Sequence, residues 1–379
     1  MSEDRLIERI KILFRINLGI KKNERVLIFT DKINPEEKIA PEDKSRRERT
    51  KDLARLIAKV CRGYCKEVLY MEYKALMSHG TEPPERLWKM AFGDKAIESM
   101  NKISLMDPIL NKRANKEQIK KAENIVSKNR RDVVDVIIGL SNYSTSHTKF
   151  RDLLTRRAGA RYASMPLFDS DMFFRSMNVN WKALERKTKN LAKKVGKADL
   201  IELSAPNGTR LSLSKEGRKV GADTGILVRS GSFGNLPAGE VYFAPLEGTA
   251  EGRLVIEWAP THKLEYPVTL IVKKGRVAVV SGEDRYRDVI EKKLKENDDF
   301  RNIAELGIGT NDKATRPDNI IESEKISGTV HIALGDNSSF GGKVRTPFHQ
   351  DFIFFRPTLR LIHKNRDEEL ILDKGRRLI

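Results

Sequence analysis

The 379-residue chain lacks the features of disulfide-rich, zinc-ribbon and membrane proteins. Its two cysteines, Cys61 and Cys65, are separated by three residues, so the chain has neither a C-x-x-C redox motif nor a zinc ribbon. No segment approaches the ~18 continuous apolar residues that a membrane-spanning helix needs. The N-terminal stretch mixes acidic and basic residues, which is typical of an amphipathic helix and not of a signal peptide. We therefore expect a cytoplasmic protein without membrane contact.

Several common catalytic motifs are also missing. The sequence contains no G-x-S-x-G, no H-E-x-x-H and no G-x-x-x-x-G-K-[ST]. The glycine-rich segment 335–343 has a different glycine spacing from a phosphate-binding loop, and Val344 follows its lysine in place of Ser or Thr. Hydrophobic residues nevertheless make up 39% of the chain, which is enough for a substantial core. The chain is therefore a folded protein whose chemistry has to come from other residues.

Positive charge is concentrated in the first half of the chain. The whole chain has a formal net charge of +19, and residues 1–200 contain 44 Lys and Arg against 27 Asp and Glu. Residues 201–379 are nearly neutral, with 28 against 26. A basic surface can attract nucleic acid, but a lysine-rich surface also keeps a thermophilic protein soluble. No RRM or KH signature accompanies the charge, so both interpretations stay open.

The pattern of apolar residues predicts two domains of different architecture. Three short apolar runs alternate with helical stretches in the first half: 25–30, 66–71 and 132–138. This alternation predicts an α/β N-terminal domain over residues 1–195, with the charged segment 35–50 as a loop. Strand-like segments then follow in quick succession, one of them at 225–229. They predict a mixed α+β catalytic domain rich in antiparallel strands over residues 196–379.

The clearest chemical constellation is an H-x-D pair in an apolar strand. His349 and Asp351 are two residues apart, so in a strand they share one face at a spacing of ~6–7 Å. His331 begins another apolar strand 18 residues earlier. Two imidazoles and a carboxylate on neighbouring strands can bind a divalent metal. An isolated H-x-D is more often a hydrogen-bonded pair, and this interpretation also stands.

Two further acids are distinguished by their surroundings. Glu240 enters an apolar strand bracketed by prolines, and Glu305 lies between a helix and a glycine turn. Alone, each reads as an ordinary strand-edge or helix-end charge. Together with the histidines, however, they belong to four ordered blocks: NLPAGEVYFAP, AELGIGTN, IESEKISGTVHIALG and TPFHQDFIFF. Over roughly residues 200–355 this order resembles the thermophilic metallo-aminopeptidases of the aminopeptidase T and aminopeptidase S family.

The resemblance implies a two-metal peptidase. Carried over position by position, the metal ligands of that family are Glu240, Glu305, His331, His349 and Asp351. Glu305 would bridge two divalent ions, zinc or cobalt, which lower the pKa of a shared water. Glu324 would be the general base. The resemblance also implies a homodimer that removes N-terminal residues from a peptide substrate.

One position departs from this family and leaves two other interpretations open. The family has a tyrosine about seven residues after the first histidine, where this chain has Ser338. A ring-cleaving dioxygenase of dihydroxypyridine resembles the same family and would need one Fe(II), held by His331, His349 and Asp351. Such an enzyme does not need the extra glutamates as ligands, so their presence favours hydrolysis. The third interpretation is a catalytically reduced homologue that binds RNA or a ribonucleoprotein through its basic first domain.

Overall fold

The structure is a computed structural model, and it describes residues 2–378. Its strands are β1 (Arg25–Lys32), β2 (Glu67–Lys74), β3 (Val136–Gly139), β4 (Arg161–Ser164), β5 (Leu200–Ser204), β6 (Arg210–Ser214), β7 (Gly221–Asp223), β8 (Phe233–Asn235), β9 (Glu240–Phe243), β10 (Glu251–Trp258), β11 (Lys263–Lys273), β12 (Arg276–Ser281), β13 (Ile303–Gly309), β14 (Val330–Gly335), β15 (His349–Phe354), β16 (Thr358–Ile362), β17 (Glu368–Asp373) and β18 (Arg376–Arg377). Its α-helices are α1 (Glu3–Ile12), α2 (Pro41–Cys61), α3 (Glu85–Phe92), α4 (Asp94–Lys102), α5 (Met106–Leu110), α6 (Lys116–Lys128), α7 (Lys149–Asp152), α8 (Trp181–Val195), α9 (Tyr286–Glu296) and α10 (Ile320–Ser323). Short π or 3-10 turns lie at Leu13–Asn17, Arg130–Asp132, Leu153–Arg157, Ser170–Phe174 and Asp298–Arg301. Within residues 2–378, no helix combines the length and apolar character that crossing a membrane requires.

The first compact unit is built on a parallel sheet. It comprises the chain up to Asn178 together with Gly225–Leu236. Its five strands are ordered β2-β1-β3-β4-β8, and every neighbouring pair is parallel. The interior strand β1 is apolar and fully buried from Val26 to Phe29, as expected for a parallel sheet that is covered on both faces. The predicted α/β architecture of the N-terminal domain is confirmed.

The charged segment before the first long helix is partly helical. Helix α2 begins at Pro41, a residue whose fixed φ suits the first helical position. Arg46 pairs with Asp43 one turn away, and Lys51 pairs with Glu48 in the same way. The prediction of a loop over 35–50 is therefore wrong for residues 41–50. Charged residues that pair along one helix face support a helix as readily as they solvate a loop.

The second compact unit contains two antiparallel sheets. It comprises Val179–Thr224 and the chain from Pro237 onward. The larger sheet has the order β12-β11-β10-β6-β5-β16-β17-β18, and the smaller has the order β15-β14-β13-β9-β7. Apolar side chains from both sheets form one continuous hydrophobic core. This arrangement confirms the predicted mixed α+β domain rich in antiparallel strands.

The division between the units differs from the boundary predicted at residue 195. Helix α8 belongs to the second unit and packs on β7 and β9, and its residues Trp181, Leu184 and Leu191 are buried. Residues 225–229 do not form the predicted strand. They instead lead into β8, which extends the parallel sheet of the first unit beside β4. The boundary at residue 195 follows from the change to closely spaced strand-like segments, and that local pattern does not show that α8 packs on the later strands.

Candidate metal centre

The smaller sheet of the second unit has one apolar and one polar face. Because side chains alternate along a strand, Leu306, Ile308, Ile332 and Phe352 enter the hydrophobic core. The residues between them lie on the other face. That face carries Glu240, Tyr242, Glu305, His331, His349 and Asp351. The period-two pattern of the sequence thus produces a polar surface backed by a dry core.

Strand register brings the predicted site residues together. Asp351 on β15 is level with Ala333 on β14, which is level with Glu305 on β13. The Nε2 atom of His331 lies 3.4 Å from Glu240 Oε2 and 3.5 Å from Glu305 Oε1. The Nε2 atom of His349 lies 3.6 Å from Glu305 Oε2 and 3.6 Å from Asp351 Oδ2. Two groups that could hold a metal ion result: Glu240, Glu305 and His331, and Glu305, His349 and Asp351.

Glycines on the polar face make room for these side chains. Gly307 is the cross-strand neighbour of His331, and a Cβ at this position would overlap the His331 imidazole. A Cβ at Gly309, the neighbour of Glu240, would overlap the carbonyl oxygen of Ile326. In the AELGIGTN block, Gly307 therefore leaves space for the His331 ring, and Gly309 leaves space for the backbone at Ile326.

Replacing Gly307 by alanine is expected to displace His331. The added methyl group and the imidazole cannot occupy the same space, so we expect divalent-metal affinity to fall about tenfold and stability to fall by about 1–3 kcal/mol. Metal titration by calorimetry and urea unfolding would measure the two effects. Gly63→Ala is the control, because its Cβ would meet nothing closer than 3.7 Å. Unchanged metal binding in Gly307→Ala would contradict the prediction.

A backbone carbonyl orients the His349 ring. The Nδ1 atom lies 2.8 Å from the carbonyl oxygen of Asp336, which can only accept, so Nδ1 donates. In the neutral ring, Nε2 is then left with a lone pair, and it faces Glu305 and Asp351. The Asp336 carboxylate in turn accepts the backbone N–H of Ser338 and of Thr346. Outer hydrogen bonds of this kind hold a histidine ready to bind a metal.

Lys325 is a site residue that sequence reasoning missed. Its side chain is completely buried, with Nζ 2.6 Å from Glu240 Oε1 and 2.8 Å from Glu324 Oε2. Burial alone would lower the pKa of Lys325, but the charges of Glu240 and Glu324 raise it well above its usual value. Lysine is almost always exposed, so only its place inside the IESEKISGTVHIALG block could have indicated this role. Lys325 is therefore a permanent cation that binds one oxygen of Glu240.

Glu324 lies beside the two groups without belonging to either. Burial alone would raise its pKa, but the charges of Lys325 and His331 outweigh that effect and lower it. Glu324 is consequently an ionised partner of Lys325. A general base works best with a pKa near neutrality, so a lowered pKa suits that role poorly.

The remaining electrostatics fit a bound divalent cation. Burial raises the pKa of Glu240, and burial together with the charge of Glu324 raises that of Asp351 to about 7. Burial alone would lower the pKa of His331, but the hydrogen bond with Glu305 and the charge of Glu240 raise it to about 9. Glu240 Oε2 is buried and accepts no hydrogen bond. The imidazole and carboxylate donors of the centre suit zinc, cobalt or iron.

Ser338 stands where the aminopeptidase family has a tyrosine. Ser338 is exposed, and its hydroxyl lies 3.0 Å from Asp336 Oδ2, to which it donates. Two residues later, the Phe340 ring packs against His349. The loop after β14 therefore presents an aromatic ring, and not a hydroxyl, to the candidate metal centre.

The chain was compared with known protein families, curated proteins and solved structures. The family model described as NicX, 2,5-dihydroxypyridine 5,6-dioxygenase, matches residues 101–378. The structure of 2,5-dihydroxypyridine dioxygenase from Pseudomonas putida KT2440 superimposes with a TM-score of 0.70 at 14% identity, covering 100% of this chain and 98% of that one. Wild-type AmpT from Thermus thermophilus gives a TM-score of 0.57 at 15% identity, with 100% of both chains covered. No curated protein matches the sequence.

These comparisons separate fold from function. At 14–15% identity the two solved structures show a shared fold, so the resemblance to aminopeptidase T is confirmed for the fold. The family model carries the description of a dioxygenase, and its match includes every residue of the candidate metal centre. Because this match spans most of the 379 residues, the chain belongs to the NicX family of enzymes.

Proposed function

We propose that this protein is an iron-dependent dioxygenase that opens a dihydroxylated pyridine ring. His331, His349 and Asp351 would hold a single Fe(II), because two histidines and one carboxylate form the usual ligand set of such sites. The observation that carries the proposal is the family match over 101–378. Ser338 adds support, because the peptidase reading expects a tyrosine at that position.

The side chains around the ion would have distinct tasks. Iron(II), when bound, supplies the electron-transfer chemistry that lets dioxygen attack an electron-rich ring. Glu305 lies within 3.6 Å of both imidazole Nε2 atoms, so it is placed to accept the proton of a ring hydroxyl. Asp336 keeps the ligand nitrogen of His349 turned towards the centre. Lys325 holds Glu240 by one oxygen and balances part of the negative charge.

A two-metal aminopeptidase is the second candidate, and one observation favours it. Glu305 is shared by the two groups of potential ligands, and within each group the ligand atoms lie within 4.8 Å of one another. A carboxylate between two such groups is the arrangement expected of a bridge between two divalent ions. In that case Glu240 would be a ligand, and zinc or cobalt would be the metal.

Metal content together with two activity assays distinguishes the candidates. We expect elemental analysis to find about one iron per chain, and the iron-loaded protein to consume oxygen with 2,5-dihydroxypyridine. Glu240→Gln keeps an oxygen for Lys325, so we expect it to retain one ion. About two zinc or cobalt ions per chain, with one lost in Glu240→Gln and with release of nitroaniline from aminoacyl-nitroanilides, would instead establish the peptidase.

A further inference from the structure

An aromatic side chain from an exposed loop turns towards the candidate metal centre. Phe340 lies near the tip of the loop between β14 and β15, yet its ring is half-buried. Its centroid lies 6.1 Å from that of the His349 imidazole and 5.8 Å from that of the Tyr242 ring. Both pairs are nearly perpendicular, at 89° and 82°. Phe340 is therefore in edge-type contact with a ligand histidine and with a second aromatic residue on the polar face.

The loop that carries Phe340 is held at both ends. The Asn337 side chain accepts the N–H of Val344 at 2.9 Å and donates to Glu247 Oε1 at 3.0 Å. The same Glu247 oxygen accepts the N–H of Lys343 at 2.7 Å. Because these bonds join the two sides of the loop to each other and to a neighbouring segment, the position of Phe340 is preorganised.

Tyr242 forms the other part of this aromatic surface. It lies on the polar face of β9, level with Gly307 on the neighbouring strand. Its ring covers Gly221 so closely that a Cβ there would overlap it. Tyr242 is half-buried. Phe340 and Tyr242 together thus form an aromatic wall beside the ligand imidazole of His349.

We propose that this aromatic wall, Phe340 with Tyr242, recognises the flat aromatic ring of the substrate next to the metal ligands. The inference rests on the proposed function for the class of substrate, and it assigns ring recognition to Phe340. Aromatic rings attract one another beyond the effect of buried area, whereas a puckered saturated ring makes poorer contact with an aromatic face or edge. Phe340 is then a specificity residue that selects planar rings.

Two hydroxamates with the same metal-binding group test the inference. Benzohydroxamate carries a flat ring and cyclohexanecarbohydroxamate a puckered ring of similar size. We expect calorimetry on the zinc-loaded protein, which cannot turn over dioxygen, to show about three- to tenfold tighter binding of benzohydroxamate. Phe340→Ala should abolish this preference, and Phe340→Tyr should retain it.

Acetohydroxamate, which has no ring, provides the control. Its affinity should change less than about twofold in Phe340→Ala, because it contacts the metal alone. No preference for the flat ring in the wild type, or a preference that survives in Phe340→Ala, would overturn the inference. Equal weakening of all three ligands would also overturn it, since Phe340 would then act through His349. Absence of oxygen consumption by the iron-loaded wild type refutes the proposed function instead, and leaves the ligand comparison intact.

Discussion

Replacing His349 by alanine is expected to lower the affinity for iron(II) at least about a hundredfold and to abolish oxygen consumption. The reason is geometric. The Asp336 carbonyl fixes the ring so that Nε2 faces Glu305 and Asp351, and the change removes one of the two imidazoles among the proposed iron ligands. Iron content after dialysis and competition with a chromogenic chelator would measure the loss. His349 is only partly buried, so the fold should tolerate the change.

His262→Ala is the matched control for this experiment. His262 is exposed between β10 and β11 and belongs to neither group of potential ligands. Its replacement removes the same side chain from the same unit, so iron content and activity should be unchanged. Full iron content in His349→Ala would contradict the assignment of the metal centre for both the dioxygenase and the peptidase.

Replacing Lys325 by methionine is expected to lower the free energy of unfolding of the metal-free protein by about 3–5 kcal/mol. Methionine has nearly the same length, but it leaves Glu240 and Glu324 buried without their common cation. An uncompensated charge in a buried site costs much more than the ion pair contributes. Urea unfolding, followed by fluorescence without added metal, would measure the change.

Lys189→Met is the control, because it removes the same positive charge and introduces the same residue at an exposed position. Lys189 pairs with Glu185 one helical turn away at the surface, and its side chain is 53% exposed. Exposed pairs of this kind contribute about 0.5 kcal/mol or less, although the same positive charge is lost. A loss of stability in Lys325→Met no larger than in Lys189→Met would refute the role of Lys325 as the buried counterion.

Two expectations about partners stay predictions. The resemblance implies a homodimer, and the basic residues of the first half indicate contact with RNA or a ribonucleoprotein. Sedimentation analysis and a salt-dependent gel shift would test them separately.

Local periodicity explains what could be predicted from sequence. The two-residue spacing of His349 and Asp351 is enough to place this pair on one face of a strand, whereas Glu305, expected at the end of a helix, lies on strand β13. The apolar residues between them specify the buried face. Ordered blocks of such spacing also indicated the fold shared with aminopeptidase T, which the structural comparison confirms.

Long-range contacts explain what could not be predicted. Glu305 belongs to both groups because β13 pairs with β9 on one side and with β14 on the other, and no spacing along the chain encodes this position. Residues 225–236 join the first unit for the same reason.

The family match also shifts the preferred reaction from peptide hydrolysis towards ring opening.

The sequence by itself therefore determined the alternation of strands and helices, the apolar core and the types of residue available as metal ligands. Only the tertiary structure decided that Lys325 is buried against Glu240 and Glu324, and that Phe340 turns inward while Ser338 faces solvent. The physical reason is that the periodicity of apolar residues and the composition specify only local structure, between residues that are close in sequence. Glu240 meets Lys325, and Tyr242 meets Phe340, only because strand β9 is brought beside segments far from it in the chain.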